Sequence, residues 1–119
     1  MKSEPSADAW QKLCEHIGLS EYEAKVYVSL ITEGAAQARR ISMACGVPRT
    51  KVYGTLRKLI ERGLVLEIPE EPRRFAPAPP ADAFEVYLRS FERKASDLGS
   101  VVSSLKGAYE ATKETNRSE

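Results

Sequence analysis

Six side chains suited to binding anions and base edges fall within the ten residues from 49 to 58: Arg49, Thr50, Lys51, Tyr53, Arg57 and Lys58. Guanidinium and ammonium groups pair with phosphate oxygens, arginine offers a planar fork to a base edge, and the hydroxyls both donate and accept. The surrounding segment, Gln37 to Arg62, holds seven basic residues and one acid, Glu61, so it is about +6 in a chain whose net charge is +1. A helix face that only solvates itself usually mixes its signs, whereas this one suits a polyanion.

Other chemistries find few residues to work with. The chain has one histidine, His16, and two cysteines, Cys14 and Cys45, which form no C-x-x-C pair. Cys14-x-His16 is at most half a metal site, because zinc needs about four ligands, so no metal and no cofactor is expected. There is no G-x-S-x-G, no glycine-rich phosphate loop and no carboxylate pair in apolar surroundings. An enzyme is disfavoured.

The cationic set must be held by something, and its own stretch supplies the first element. Between Gly46 and Gly63, Val52, Leu56, Leu59 and Ile60 recur at three- and four-residue spacing, which predicts a helix with one apolar stripe. Pro48 suits the first helical position and Gly63 the residue just past the end. Thr50, Tyr53, Gly54, Arg57 and Glu61 then lie on the outer face. Ahead of it, residues 9–17 predict a short helix stopped by Gly18. A capping box at Ser20 and Glu23 opens a helix over 21–33 that carries Tyr22, Val26, Tyr27, Leu30 and Ile31 inward. Residues 36–45 predict another, with Ala38, Ile41 and either Ala44 or Cys45 inward. A short helix, a glycine turn and a basic helix make a helix-turn-helix whose second member faces outward, with Arg39 and Arg40 beside it.

After this, Leu64 to Ile68 reads as a strand, Pro69-Glu70-Glu71-Pro72 as a turn and Arg73 to Pro77 as a returning strand with Phe75 in the core. Such a hairpin is a wing, and Arg73 and Arg74 could lie on a phosphate backbone or in a minor groove. The alternative is that Glu70 and Glu71 neutralise them and the hairpin only covers the core.

From Pro80 the pattern changes. Ala81, Phe84, Leu88, Phe91, Ala95, Leu98, Val102, Leu105, Tyr109 and Thr112 alternate spacings of three and four, a heptad seam that predicts one long helix. At about 1.5 Å per residue it would approach 50 Å, too long for the preceding domain to cover, so Phe84 to Tyr109 is expected to form a homodimer interface. Gly99 and Gly107 interrupt the propensity and predict a fray or a close helix crossing there. The expected fold is mainly α with a small β-hairpin, a winged helix-turn-helix followed by a coiled-coil helix. Its parts are a flexible arm (1–8), a winged-helix domain (9–79), a dimerisation helix (80–113) and a disordered tail (114–119). The N-terminus lacks the apolar core of a signal peptide and no apolar run reaches the roughly 18 residues of a membrane span, so a cytoplasmic protein is expected.

Four segments, L-S-E-Y-E-A-K-V-Y (Leu19 to Tyr27), G-V-P-R-T-K-V-Y (Gly46 to Tyr53), L-R-K-L-I-E-R-G-L-V (Leu56 to Val65) and P-R-R-F-A-P-A-P-P (Pro72 to Pro80), resemble, in that order, the winged-helix domain of the TrmB-type archaeal transcription regulators. The resemblance covers about residues 10 to 85. It implies a DNA-binding repressor or activator with Arg49, Thr50, Lys51 and Tyr53 at the start of the reading helix and Arg73 and Arg74 on the wing. Longer members carry a C-terminal sugar-binding domain. The sequence given stops after the heptad helix, so sugar sensing is not expected of it.

The resulting expectation is a sequence-specific regulator that binds double-stranded DNA as a homodimer. Arg39, Arg40, Lys58, Arg73 and Arg74 would hold phosphates, and Arg49, Thr50, Lys51, Tyr53 and Arg57 would lie nearest the bases. The alternative is a winged-helix protein-interaction module within a larger transcription or chromatin complex. Operator, sign of regulation, effector and helix orientation are not legible in the residues.

Overall fold

The computed structural model describes residues 4–118, with side chains to residue 115. The first three residues of the expected N-terminal arm lie outside the described residues. The chain divides between Ala83 and Phe84 into two units.

In the first unit, α1 (Ala9–Ile17) ends at Gly18, and α2 (Glu21–Glu33) starts from the capping box that the sequence predicts. The Ser20 hydroxyl accepts from the Glu23 amide at 3.1 Å and a Glu23 carboxylate oxygen accepts from the Ser20 amide at 2.9 Å. Two side chains of α2 depart from the expected stripe. Tyr22 and Ile31 are exposed, while Glu23 and Ala24 are buried. Glu23 turns inward because its carboxylate is bound both to the cap and to Arg62.

α3 (Ala38–Cys45) starts two residues later than the periodicity suggests. Ala36 is extended instead, exchanging hydrogen bonds of 2.9 and 2.8 Å with Phe75, so the wing takes this residue from the helix. Ala38 and Ile41 are buried and Cys45 is half-buried, whereas Ala44 is exposed. Gly46, left-handed at φ 72°, reverses the chain. The Ser42 hydroxyl then donates to the Val47 carbonyl at 2.6 Å and fixes the turn.

α4 (Arg49–Glu61) begins one residue after Pro48, which serves as the cap residue, its carbonyl accepting from the Lys51 and Val52 amides at 2.8 and 3.2 Å. The buried stripe is Val52, Thr55, Leu56 and Leu59, rotated from the expected one. Ile60 is 37% exposed and Thr55 only 7%. Thr55 tolerates burial because its hydroxyl donates to the Lys51 carbonyl at 2.8 Å and leaves only its methyl to pack. Gly63, at φ 77°, closes the helix end.

β1 (Val65–Ile68) and β2 (Arg74–Pro77) pair antiparallel, with Val65 opposite Pro77 and Glu67 opposite Phe75. The core formed by α2, α3, α4 and this hairpin includes Val26, Leu30, Ile41, Leu56, Leu59 and Phe75. Tyr27 is tied in by its hydroxyl, which donates to the Ala78 carbonyl at 3.1 Å, and burial pushes its pKa up to about 12. These elements make a winged helix-turn-helix.

The long helix does not run unbroken from Pro80. A single turn, α5 (Pro80–Ala83), belongs to the first unit, Phe84 is a non-helical turn residue, and α6 (Glu85–Ser118) follows. The Phe84 carbonyl accepts from the Leu88 amide at 3.0 Å, so this residue restarts the helix. Because one turn residue preserves the three-and-four spacing, periodicity runs straight through the break. α6 passes Gly99 and Gly107 without a fray and continues through the residues expected to form a disordered tail, as far as Ser118.

Candidate nucleic-acid interface

α4 presents Thr50, Lys51, Tyr53, Gly54, Arg57, Lys58 and Glu61 to solvent, opposite its buried stripe. Its first turn holds no acid, although an acid there would complement the helix dipole. Arg49 and Lys51 occupy it instead. A helix N-terminus flanked by cations favours an incoming anion over an internal one.

Two clefts flank this face. The first, about 430 Å³, lies between α4 and the hairpin and is lined by Tyr53, Leu56, Arg57, Ile60, Glu67, Arg73 and Phe75. The second, about 550 Å³, lies between the starts of α3 and α4 and the wing turn, with Gln37, Ala38, Arg39, Arg49, Tyr53, Glu71, Pro72 and Arg73 around it. Tyr53 and Arg73 border both, so they form the ridge between them. Arg39, Arg49, Tyr53, Arg57 and Arg73 are thus brought to one surface from α3, α4 and the wing.

Arg40 and Arg74 are engaged elsewhere. Arg40 pairs with Glu33 at 3.4 Å. Arg74 is half-buried, donates to the Ala35 carbonyl at 3.2 Å and lies 3.8 Å from Glu70, so it braces the wing against the loop before α3. Arg73 keeps its place in the cleft but is held by Glu67 at 3.0 Å. Among the described residues, Arg39, Arg49, Lys51, Arg57 and Lys58 have no ion pair. Reading the sequence for cations alone misses Glu67. Period-two alternation from buried Val65 places it on the strand face that looks toward α4, and that signal was available.

The seam residues are placed on α6, apart from Phe84, which precedes it and tilts against Tyr87 with ring centres 6.2 Å apart. Leu88, Phe91, Ala95, Leu98, Val102, Leu105 and Tyr109 are all exposed along the helix, Leu98 by 64%. Among the described residues no cluster of three His, Cys, Asp or Glu side chains could hold a metal ion, and no helix is long and apolar enough to cross a membrane.

A winged helix-turn-helix with a cation-bearing second helix defines the class of protein. Residues 13–81 match the family model for the sugar-specific transcriptional regulator TrmB, and the chain belongs to that family, one of transcriptional regulators and not of enzymes. It is 33% identical over 100 residues to the HTH-type sugar sensing transcriptional regulator TrmBL1 of Pyrococcus furiosus, covering 84% of this chain and 27% of that protein. To the DNA-binding HTH-type transcriptional repressor TrmBL2 of Thermococcus kodakarensis it is 26% identical over 85 residues, 71% of this chain and 32% of the relative. The chain therefore spans about a third or less of the length of these curated relatives. The solved structure of TrmBL2, an archaeal chromatin protein showing a novel mode of DNA binding, shares the fold with a TM-score of 0.66 and 24% identity, covering 82% of this chain and 38% of that one.

Proposed function

We propose that the chain is a sequence-specific, double-stranded DNA-binding transcription regulator that acts as a homodimer. The observation that carries this reading is the outward face of α4, where Arg49, Tyr53 and Arg57 line clefts shared with the wing while the helix's apolar side is spent on the core. In this reading α4 enters the major groove, with Arg49, Thr50, Lys51, Tyr53 and Arg57 at the base edges. Arg39, Lys58 and Arg73 hold phosphates. Arg40 and Arg74 join them only by leaving Glu33 and the Ala35 carbonyl. Residues 9–79 form the DNA-binding part and the helix that follows joins two copies. The two-fold symmetry predicts a palindromic site with half-sites a whole number of helical turns apart. Such work places the protein with the DNA, in the cytoplasm. Sugar sensing is not proposed.

The test is binding of the purified chain to its own upstream DNA and to an unrelated duplex of equal length, at two salt concentrations, with the mass in solution measured alongside. Preference for its own DNA by a hundredfold, about 2.7 kcal/mol, with steep salt dependence, is the expected result. A chain that binds neither duplex at low salt would instead be a protein-interaction module, with the basic face turned to a protein.

A further inference from the structure

We infer that two copies of the chain pair through α6 in antiparallel orientation, with the two-fold axis level with Ser100. This rests on the homodimer reading above and fixes its geometry.

α6 is one uninterrupted helix, so heptad positions can be assigned along it without a shift. Leu88, Ala95, Val102 and Tyr109 take position a, and Phe91, Leu98, Leu105 and Thr112 take position d. The flanking e positions are Glu85, Glu92, Gly99, Lys106 and Lys113, and the g positions Tyr87, Lys94, Val101 and Ala108. The e row is therefore acidic in its first half and basic in its second. Among the described residues Glu92, Lys106 and Lys113 have no ion pair, while Glu85 pairs with Arg89 one turn on and Lys94 lies over the Phe91 ring at 5.6 Å.

A parallel pair matches each g residue with the e residue five places on in the other copy. It would set Tyr87 beside Glu92, Lys94 beside Gly99, Val101 beside Lys106 and Ala108 beside Lys113. No opposite charges meet, and Ala95 faces Ala95 across the core. An antiparallel pair matches e with e. Centred on Ser100, it sets Glu92 against Lys106 and Glu85 against Lys113 of the second copy, each contact occurring twice, with Gly99 against its own counterpart at the axis. The core layers become Leu98 with Val102, Ala95 with Leu105, Phe91 with Tyr109 and Leu88 with Thr112, so the small alanine meets a large leucine. Sliding by one heptad in either direction replaces the two charge pairs by a single one, Glu92 with Lys113 or Glu85 with Lys106, and shortens the overlap. The centred register keeps both over nearly the whole helix. It also sets the two starts of α6 about 45 Å apart, at about 1.5 Å per residue, instead of side by side.

The experiment is a charge swap on the exposed e row, with variants Glu92→Lys and Lys106→Glu studied alone and mixed, by sedimentation. The wild-type chain should be a dimer. Each variant alone brings like charges together twice per dimer and should self-associate about tenfold more weakly or worse. Mixed one to one, the variants should recover wild-type affinity as a heterodimer, because every contact is then complementary, and that recovery also shows that both chains are folded. Variants that self-associate like the wild type, or a mixture that recovers nothing, overturn the antiparallel register and leave the dimer standing. A wild-type chain that stays monomeric at tens of micromolar overturns the homodimer reading itself.

Discussion

Arg62, the residue that follows α4, donates through its Nε to the Oε2 of Glu23 at 3.1 Å, across 39 positions of sequence. A second guanidinium nitrogen reaches the Gly18 carbonyl at 3.4 Å. Glu23 is 5% exposed and is also the N3 residue of the α2 capping box, so one carboxylate joins the start of α2 to the end of the candidate reading helix. Replacing Arg62 by alanine leaves a buried carboxylate with only the cap for company. Since the guanidinium is itself partly exposed, the expected loss is about 1–2 kcal/mol. Urea denaturation followed by circular dichroism checks it, and an unchanged midpoint would mean that water replaces the arginine at no cost.

The same pair sets an acid limb. Burial raises the Glu23 pKa, but the Ser20 amide and hydroxyl and the Arg62 charge outweigh it and hold the carboxyl below the ordinary 4.5. A depressed folded-state pKa contributes stability that is complete above the unfolded value and lost as pH falls through the folded one. Stability should therefore decline below about pH 4.5. Glu23→Gln should lower it at neutral pH and flatten that decline, as read from denaturation midpoints between pH 3 and 7.

Tyr27 offers a neutral counterpart. Its hydroxyl is the donor to the buried Ala78 carbonyl that fastens α2 to the chain leaving the wing. Tyr27→Phe keeps the ring and removes the donor, and should cost about 1–2 kcal/mol because the carbonyl is left unsatisfied. Amide exchange should quicken in the hairpin more than in α1, which the bond does not touch.

How much of this was legible in the residues divides along a physical line. Local signals were sufficient for α1 and α2, because glycines, a capping box and apolar spacing act within a few residues of the boundaries they set. What depends on partners distant in sequence was not legible. The extended state of Ala36 is imposed by Phe75, the inward turn of Glu23 by Arg62, and the diversion of Arg74 by the Ala35 carbonyl. Ile60, expected in the buried stripe, instead borders the open cleft beside the hairpin, while Thr55 is buried in the stripe. In the candidate interface the cations could be read from the sequence. The acids opposing them, Glu33 at Arg40 and Glu67 at Arg73, could be paired only once the fold had placed them.

Glu67 then becomes the most informative residue of the face. It stands in the cleft between α4 and the wing, 3.0 Å from Arg73 and lining the same space as Arg57. A phosphate approaching Arg73 must displace it, and its own charge repels any backbone, whatever the sequence. Glu67→Gln should therefore strengthen binding to unrelated duplex by several-fold and steepen the salt dependence by up to about one unit. Preference for the cognate site should fall, because the gain is indifferent to sequence. Arg73→Ala should weaken both duplexes alike and flatten the slope by about one unit. Arg57→Ala should cost the cognate duplex about 1–3 kcal/mol more than the unrelated one. Titrations of the three variants against both duplexes separate these outcomes. If Arg57→Ala and Arg73→Ala change nothing, DNA does not use this face. If they act as stated and Glu67→Gln does not, phosphate reaches Arg73 without contest, and the ion pair with Glu67 only steadies the wing.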